Sequence, residues 1–211
     1  MSDLFPQSGL DAAIADLEKD LLLPGGPRIS TMRNHNFALL LYGPEDEFKL
    51  RSRILQLVRR LTDRAGFSVL SIALHEVVLE RLRAIDGGQR VQEWVANEKR
   101  LHRTDPQRAL RYLKDELAKH VEGPEGLSRD IAQRIARFRE AAPDDEKVLV
   151  LLGRAGALYP FFRSSALLKH LGDQTMNTPV VLLYPGRREE DGLSFMKELT
   201  PDRDYRPRIY A

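Results

Sequence analysis

Continuous apolar runs alternate along the chain with stretches of helical periodicity. Runs of this kind, without polar alternation, are typical of strands covered on both faces of a parallel sheet. The predicted strands are 37–42, 67–74, 148–152 and 180–184. The tail at 202–211 predicts an edge strand, because Pro207 lacks the N–H that a central strand requires. We therefore expect an α/β fold with a mainly parallel sheet of four or five strands.

Apolar residues spaced three and four apart predict the helices that flank this sheet. The predicted helices are 8–23, 45–64 and about 161–171, and a longer helical block covers 76–141. Gly66 follows the second helix, where glycine commonly ends one, and Pro106 follows Asp105 as a first helical residue follows its cap. The block at 76–141 is too long for one crossover helix. We interpret it as a helical insertion within a single α/β domain spanning 1–211.

Composition agrees with a globular protein and excludes several function classes. The chain has 211 residues, of which 42% are hydrophobic and 30% charged, so it can bury a substantial core. It contains no cysteine, which excludes disulfides, thiolate–metal sites and thiol nucleophiles. No apolar run approaches the roughly 20 residues that span a bilayer, and the N-terminus lacks a secretory pattern. We expect a cytoplasmic protein without membrane contact.

The stretch "FALLLYGPEDEFKLRSRIL" at 37–55 has the outline of a phosphate-binding loop. The spacing from Gly43 to Lys49 is right, but Phe48 occupies the glycine position and Leu50 the hydroxyl position. Carboxylates at 45–47 stand at the helix N-terminus, where they are favourable themselves and would repel a phosphate. Strand 148–152 ends in Gly153 instead of an acidic residue. The pattern therefore predicts a Rossmann-like or phosphate-loop topology that lacks the phosphate-binding motif and needs no cofactor.

Three predicted strands end alike, in "LLLYGP", "LVLLGRAG" and "VLLYPG". The carboxyl ends of parallel strands meet at one edge of the sheet, which is where ligands lodge in open sheets of this type. The residues gathered there are Tyr42, Gly43, Arg154, Tyr184, Pro185, Gly186 and Arg187. Two interpretations stay open: a binding edge, or short connections that need glycine and proline for their turns.

The segment "ALYPFFRSSALL" places three aromatic residues, Tyr159, Phe161 and Phe162, around Pro160. They cannot all face the same core, and aromatic residues beside arginine are favoured anchors of protein interfaces. Arg154 and Arg163 could serve that anchor or neutralise the acidic helix start at 45–47. For Phe162 a structural role is favoured, whereas for the other two aromatics both roles remain open.

Candidate catalytic and metal-binding residues do not form a recognisable constellation. The five histidines lack metal-ligand spacing; His35, before the first strand, lies at the edge opposite the predicted crevice. Ser164 and Ser165 lack the turn motif that presents a serine nucleophile. The acidic groups at 144–146 and 189–191 are typical of solvated turns. We expect no catalytic residue and no metal site.

Basic residues cluster at one junction of the helical block, which as a whole has 14 Lys/Arg against 10 Asp/Glu over 81–140. The cluster consists of Arg100, Arg103, Arg108 and Arg111. Acidic residues are interleaved, as on an ordinary solvated helix face, and no sequence-reading motif is present. The pattern favours at most weak, salt-sensitive contact with nucleic acid phosphates.

Three blocks of the sequence resemble the BrxB family of bacteriophage exclusion (BREX) defence systems. They are "RISTMRNHNFALLLYGPEDEFKLR" at 28–51, "GRAGALYPFFRSSALLKHL" at 153–171 and "NTPVVLLYPGRREEDGLSFM" at 177–196. The resemblance implies a non-catalytic component of a machine that includes a PglZ-type alkaline-phosphatase-like protein, a large ATPase and an adenine-specific DNA methyltransferase. The family has no established catalytic residues to transfer. The loop at 187–191 carries more charge than the family pattern.

The sequence and the resemblance together predict an adaptor that binds a PglZ-type protein and other BREX components. The predicted partner-binding residues are Tyr42, Arg154, Tyr159, Phe161, Arg163, Tyr184 and Arg187. The alternative is a degenerate nucleotide- or nucleic-acid-binding protein acting in the same DNA-directed complex.

Overall fold

The computed structural model of the chain describes residues 9–24, 26–29, 36–143, 147–171, 174–175, 177–190, 192–201 and 207–211. His35 and the acidic run at 144–146, both discussed above, lie outside the described residues, as does Asp191.

Strands and helices alternate as the apolar pattern predicts. The strands are β1 (Phe37–Tyr42), β2 (Phe67–Ala73), β3 (Lys147–Gly153), β4 (Val180–Glu189), β5 (Gly192–Phe195) and β6 (Arg208–Tyr210). The helices are α1 (Gly9–Leu21), α2 (Glu47–Ala65), α3 (Leu74–Ala84), α4 (Gln89–His102), α5 (Pro106–Val121), α6 (Leu127–Ala141) and α7 (Ser164–Leu171). Short 3-10 turns at Pro44–Asp46, Ile85–Gly88 and Ala155–Leu158 connect them.

Five strands form a parallel sheet in the order β2-β3-β4-β1-β6. In this register Phe37 of β1 pairs with Val180 of β4, and Ala38 pairs with Arg208 of β6 on the other side. The sheet therefore confirms the predicted fold class, and β6 lies at an edge as Pro207 suggests. The crossover through α2 spans two strands, because β3 and β4 lie between β1 and β2.

Helices cover both faces of the sheet, which is why β1 is buried along its whole length. Ala38 and Leu40 point to the layer formed by α1 and α2, where Leu17 and Leu57 are fully buried. The alternate residues, such as Leu39, point to the layer formed by α3, α6 and α7. Both faces of a parallel strand therefore need apolar side chains, and the unbroken apolar run satisfies both.

Helix ends follow the local sequence closely. Helix α2 ends at Gly66, whose left-handed backbone (φ +67°) lets its N–H donate to the Leu61 carbonyl. Asp105 caps α5 by accepting a 3.0 Å hydrogen bond from the Arg108 backbone N–H, directly before Pro106. Both predicted helix boundaries are confirmed.

The β4–β5 hairpin departs from the sequence prediction. Strand β4 was expected to end at Tyr184, yet it runs to Glu189 and pairs antiparallel with β5, Gly186 opposite Phe195. A side chain at Gly186 would collide with the Ser194 carbonyl, because its Cβ would lie 2.2 Å from that oxygen. The absence of a side chain is what allows the two strands to approach.

Helices α3 to α6 fill the crossover between the neighbouring strands β2 and β3. Helices α3 and α6 pack on the sheet, while α4 and α5 form an antiparallel pair, here called the α4–α5 arm. The arm helices have 14 and 16 residues and are therefore about 21 and 24 Å long. The arm's base is anchored by Val121 in the core, and its tip at 102–104 is exposed.

Candidate functional site

Connections from β1, β3 and β4 converge at the carboxyl edge of the sheet. Strand β1 leads through Gly43 and a 3-10 turn into α2. Strand β3 leads through Arg154, which has a left-handed backbone (φ +62°), into a second 3-10 turn. Strand β4 continues into the hairpin with β5. The predicted convergence of these three connections is therefore present.

Glu47, the first residue of α2, is the centre of a polar network at this edge. Its carboxylate accepts hydrogen bonds from the Tyr42 hydroxyl at 2.5 Å and from Arg51 Nε at 3.0 Å. Arg154 Nη1 lies 3.5 Å from the same carboxylate. Burial, reinforced by the bond to Glu47, raises the pKa of the Tyr42 hydroxyl far above its ordinary value, so tyrosine remains the donor.

A small cavity of about 160 Å³ adjoins this network. Its lining residues are Pro44, Glu47, Arg51, Arg154, Gly156, Ala157, Pro185 and Met196. Lys197 Nζ bonds Glu45 at 2.5 Å, joining the segment after β5 to the start of α2 and lowering the pKa of the Glu45 carboxyl. A carboxylate and its arginine partners thus occupy the helix N-terminus where a phosphate-binding loop would receive its anion.

Tyr42 and Tyr184 are core residues, which corrects the expectation that they lie on a partner surface. Tyr42 is only 3% exposed and Tyr184 is fully buried. The Tyr184 hydroxyl donates to the Leu193 carbonyl at 3.2 Å, and its ring packs edge-on against Phe195. Neither side chain reaches the surface in this structure.

The three predicted arginines engage different carboxylates. Arg154 lies against Glu47, in agreement with the interpretation that it neutralises the acidic helix start. Arg163 Nε instead lies 3.9 Å from Glu122, at the end of α5 on the opposite face of the sheet. Arg187 is exposed and bonds Glu189 within the hairpin at 2.8 Å. The structure does not bring these arginines into one pocket.

The aromatic residues after β3 divide between surface and core. Phe162 is 1% exposed and packs against Phe195 with ring centroids 5.6 Å apart, which confirms its structural role. Tyr159 is 40% exposed, and Phe161 is half-buried. Residues 161–163 stay outside α7, which starts three residues later than predicted, at Ser164.

Phe48 is a surface residue that the sequence analysis did not predict. There it was noted only because it occupies the glycine position of a phosphate-binding loop. Phe48 is 79% exposed in the first turn of α2, and the Arg51 guanidinium lies 4.9 Å from its ring centroid. Its position off the apolar stripe of Leu50, Leu57 and Leu61 was the available signal. The carboxyl edge therefore presents an aromatic side chain that no helix or strand covers.

Three of the four clustered arginines meet between the two helices of the arm. Arg100, Arg108 and Arg111 line a groove of about 470 Å³ together with Tyr112. Arg103 is exposed in the turn beyond α4 and does not line the groove.

Among the residues that the structure describes, no group of three or more histidine or acidic side chains is placed to hold a metal ion. His120 packs against Trp94 with ring centroids 5.5 Å apart. Burial, with a smaller effect of Arg81, lowers the pKa of the His120 imidazole. In the described ranges, the helices all lack the combination of length and apolar character that crossing a bilayer requires.

The fold and this edge define an α/β protein whose parallel sheet has a carboxylate–arginine network in place of a glycine-rich phosphate loop. The family model described as BREX protein BrxB matches residues 70–209. The chain belongs to the BrxB family and is thus a BrxB component of the BREX phage-defence system. The match includes the resembling blocks at 153–171 and 177–196; the block at 28–51 precedes it. Neither the curated proteins nor the solved structures contain a significant match.

Proposed function

We propose that this protein is a non-catalytic adaptor of the BREX system that binds a PglZ-type, alkaline-phosphatase-like partner through the carboxyl edge of its sheet. The observation that carries the proposal is the exposure of two aromatic side chains on the segments that follow β1 and β3 at that edge. Phe48 is 79% exposed beside Arg51, and Tyr159 is 40% exposed beyond Arg154. Aromatic and arginine side chains are the residues that most often dominate the binding energy of protein interfaces.

The chemistry of the edge supports binding rather than catalysis. The Glu47 carboxylate is engaged by hydrogen bonds from Tyr42 and Arg51 and lies against Arg154, so it serves as the centre of a structural network. A phosphate approaching the α2 N-terminus would have to displace that carboxylate and the Glu45–Lys197 pair. Titration calorimetry with ATP and magnesium tests this point, and we expect no binding tighter than about 100 μM.

The partner-binding surface is assigned to the predicted residues that reach solvent, with Phe48 added. It comprises Phe48, Arg154, Tyr159, Phe161, Arg163 and Arg187. Its arginines already pair within the chain, with Glu47, Glu122 and Glu189. A partner's carboxylates at the rim of the interface would share them, and charge there governs the association rate and the choice of partner more than affinity. Phe48 and Tyr159 would supply the apolar anchors.

Co-purification of the tagged chain with its PglZ-type neighbour tests the proposal. Replacing Phe48 and Tyr159 together by serine is expected to weaken capture by several hundredfold, since two anchors worth about 2 kcal/mol each sum to about 4 kcal/mol. Val95→Ser with Leu110→Ser is the matched control, because these residues are 43% and 40% exposed on the arm. Equal capture by both double variants would place the interface elsewhere, and no capture by the unmodified chain would refute the proposed partner.

A further inference from the structure

We propose that the groove near the tip of the α4–α5 arm binds single-stranded nucleic acid without sequence preference. The groove has a volume of about 470 Å³ and lies between the two arm helices. Its lining residues are Asn97, Arg100, Leu101, Arg108, Arg111, Tyr112 and Asp115. This assignment does not rest on the adaptor role, since it uses the helical arm and not the sheet edge.

The arginines of the groove are arranged to hold phosphates. Arg108 and Arg111 are one turn apart on α5, and Arg100 faces them from α4. All three are exposed, and their contacts are weak: Arg111 Nη2 lies 3.9 Å from Asp105, and Arg100 Nη2 lies 3.4 Å from Asn97 Oδ1. Guanidinium groups held this loosely can turn toward phosphate oxygens and bind them through two N–H donors each.

Positive charge is concentrated at this end of the arm. Residues 97–115 hold six Lys/Arg and three Asp/Glu, an excess of three, whereas the whole chain has a net charge of +2. The remainder of the chain therefore has a net charge of −1. A local excess of this kind attracts a polyanion to the arm in preference to the rest of the surface.

Tyr112 favours a single strand over a duplex. Its half-buried ring lines the groove, and its hydroxyl accepts a 3.3 Å hydrogen bond from Asn97 Nδ2 on the facing helix. An aromatic ring between arginines is the arrangement on which unpaired bases stack while the backbone is neutralised. A duplex keeps its bases paired and stacked, so it would use the arginines but not the ring.

Fluorescence anisotropy of the full chain with a labelled oligothymidylate of about 20 nucleotides tests the assignment. Arg108→Gln with Arg111→Gln is expected to reduce the slope of log affinity against log salt by about 1.4. Tyr112→Leu should weaken binding by about 5- to 150-fold, which corresponds to the loss of one stacked base. Asp105→Asn should tighten it, because asparagine keeps the α5 cap while removing the carboxylate beside Arg111.

The control removes the same charge from another exposed helix surface, with Arg59→Gln and Arg64→Gln on α2. We expect this variant to bind like the unmodified protein. Equal loss in the two double variants, or a Tyr112→Leu variant of full affinity, would overturn the proposal. A duplex of the same length that binds as tightly as the single strand would do the same. The gain expected from Asp105→Asn keeps the test decisive even if an arginine variant is unstable.

Discussion

The closest backbone approach at the carboxyl edge depends on Gly186. An alanine Cβ at this position would lie 2.2 Å from the Ser194 carbonyl oxygen and 2.7 Å from the Tyr184 ring. Side-chain ends can rotate away, but the Ser194 oxygen belongs to the backbone of β5. Gly186→Ala must therefore separate the β4–β5 hairpin, and the buried Tyr184 ring must move as well.

The expected loss of stability follows from these two movements. Overpacking typically costs 1–3 kcal/mol, and separating the strands would also weaken ladder hydrogen bonds worth about 1 kcal/mol each. We expect Gly186→Ala to lower the free energy of unfolding by about 3 kcal/mol. For a chain of this length, that corresponds to a fall in Tm of about 6–12 °C.

Urea unfolding followed by circular dichroism measures this loss, with Gly153→Ala as the matched control. Gly153 is the last residue of β3 and also lies at the carboxyl edge. A Cβ there would meet only Leu183 Cδ1 at 3.6 Å, which is an ordinary contact. We expect the control to unfold within about 1 kcal/mol of the unmodified protein. If the two variants share one unfolding midpoint, the steric explanation of the hairpin is wrong.

Three further predictions concern polar groups. Glu47→Ala should lower the free energy of unfolding by about 1–3 kcal/mol, because the Tyr42 hydroxyl loses its acceptor. Adding Tyr42→Phe should recover part of that loss, and a double-mutant cycle measured by urea unfolding tests this. Asp105→Ala should destabilise the protein by about 1 kcal/mol through loss of the α5 cap, whereas Asp105→Asn should destabilise it much less. Thermal unfolding compares the two variants, and equal losses of stability would exclude capping as the cause. Burial lowers the pKa of His120, and the charges of Arg81 and Lys119 lower it further against the opposing charge of Glu116. The unfolded chain therefore binds a proton at His120 more readily than the folded protein does. Stability should therefore fall as pH drops through the unfolded value of 6.5, and His120→Gln should show a smaller fall between about pH 7 and pH 5 in chemical unfolding.

Much of the candidate site could be anticipated because local chemistry decides it. The glycine at 43, the carboxylates at 45–47 and the apolar run of β1 predict a strand followed by an acid-capped helix, and Glu47 stands there. The clustering of Arg100, Arg103, Arg108 and Arg111 at one helix junction was also predicted, and three of these four arginines line one groove. Their common groove is a consequence of antiparallel packing.

Other features of the site depend on contacts distant in sequence. Tyr184 and Arg187 are separated by two residues, yet one is fully buried and the other exposed, because β5 covers the first and leaves the second in solvent. Arg154 and Arg163 follow the same strand but pair with Glu47 and Glu122 on opposite faces of the sheet. Strand alternation separates Tyr184 from Arg187, but the partners of Arg154 and Arg163 follow only from tertiary packing.

By itself, the sequence determined the class of fold, the presence of a long helical stretch and the family to which the protein belongs. Those properties follow from hydrophobic periodicity, capping residues and extended motifs, all of which act over a few residues. Only the tertiary structure decided the order β2-β3-β4-β1-β6, the long β4–β5 hairpin and the exposure of Phe48. The strand order depends on which backbones pair across the sheet, and the hairpin depends on the close approach that Gly186 allows at Ser194. Both are properties of packing in three dimensions.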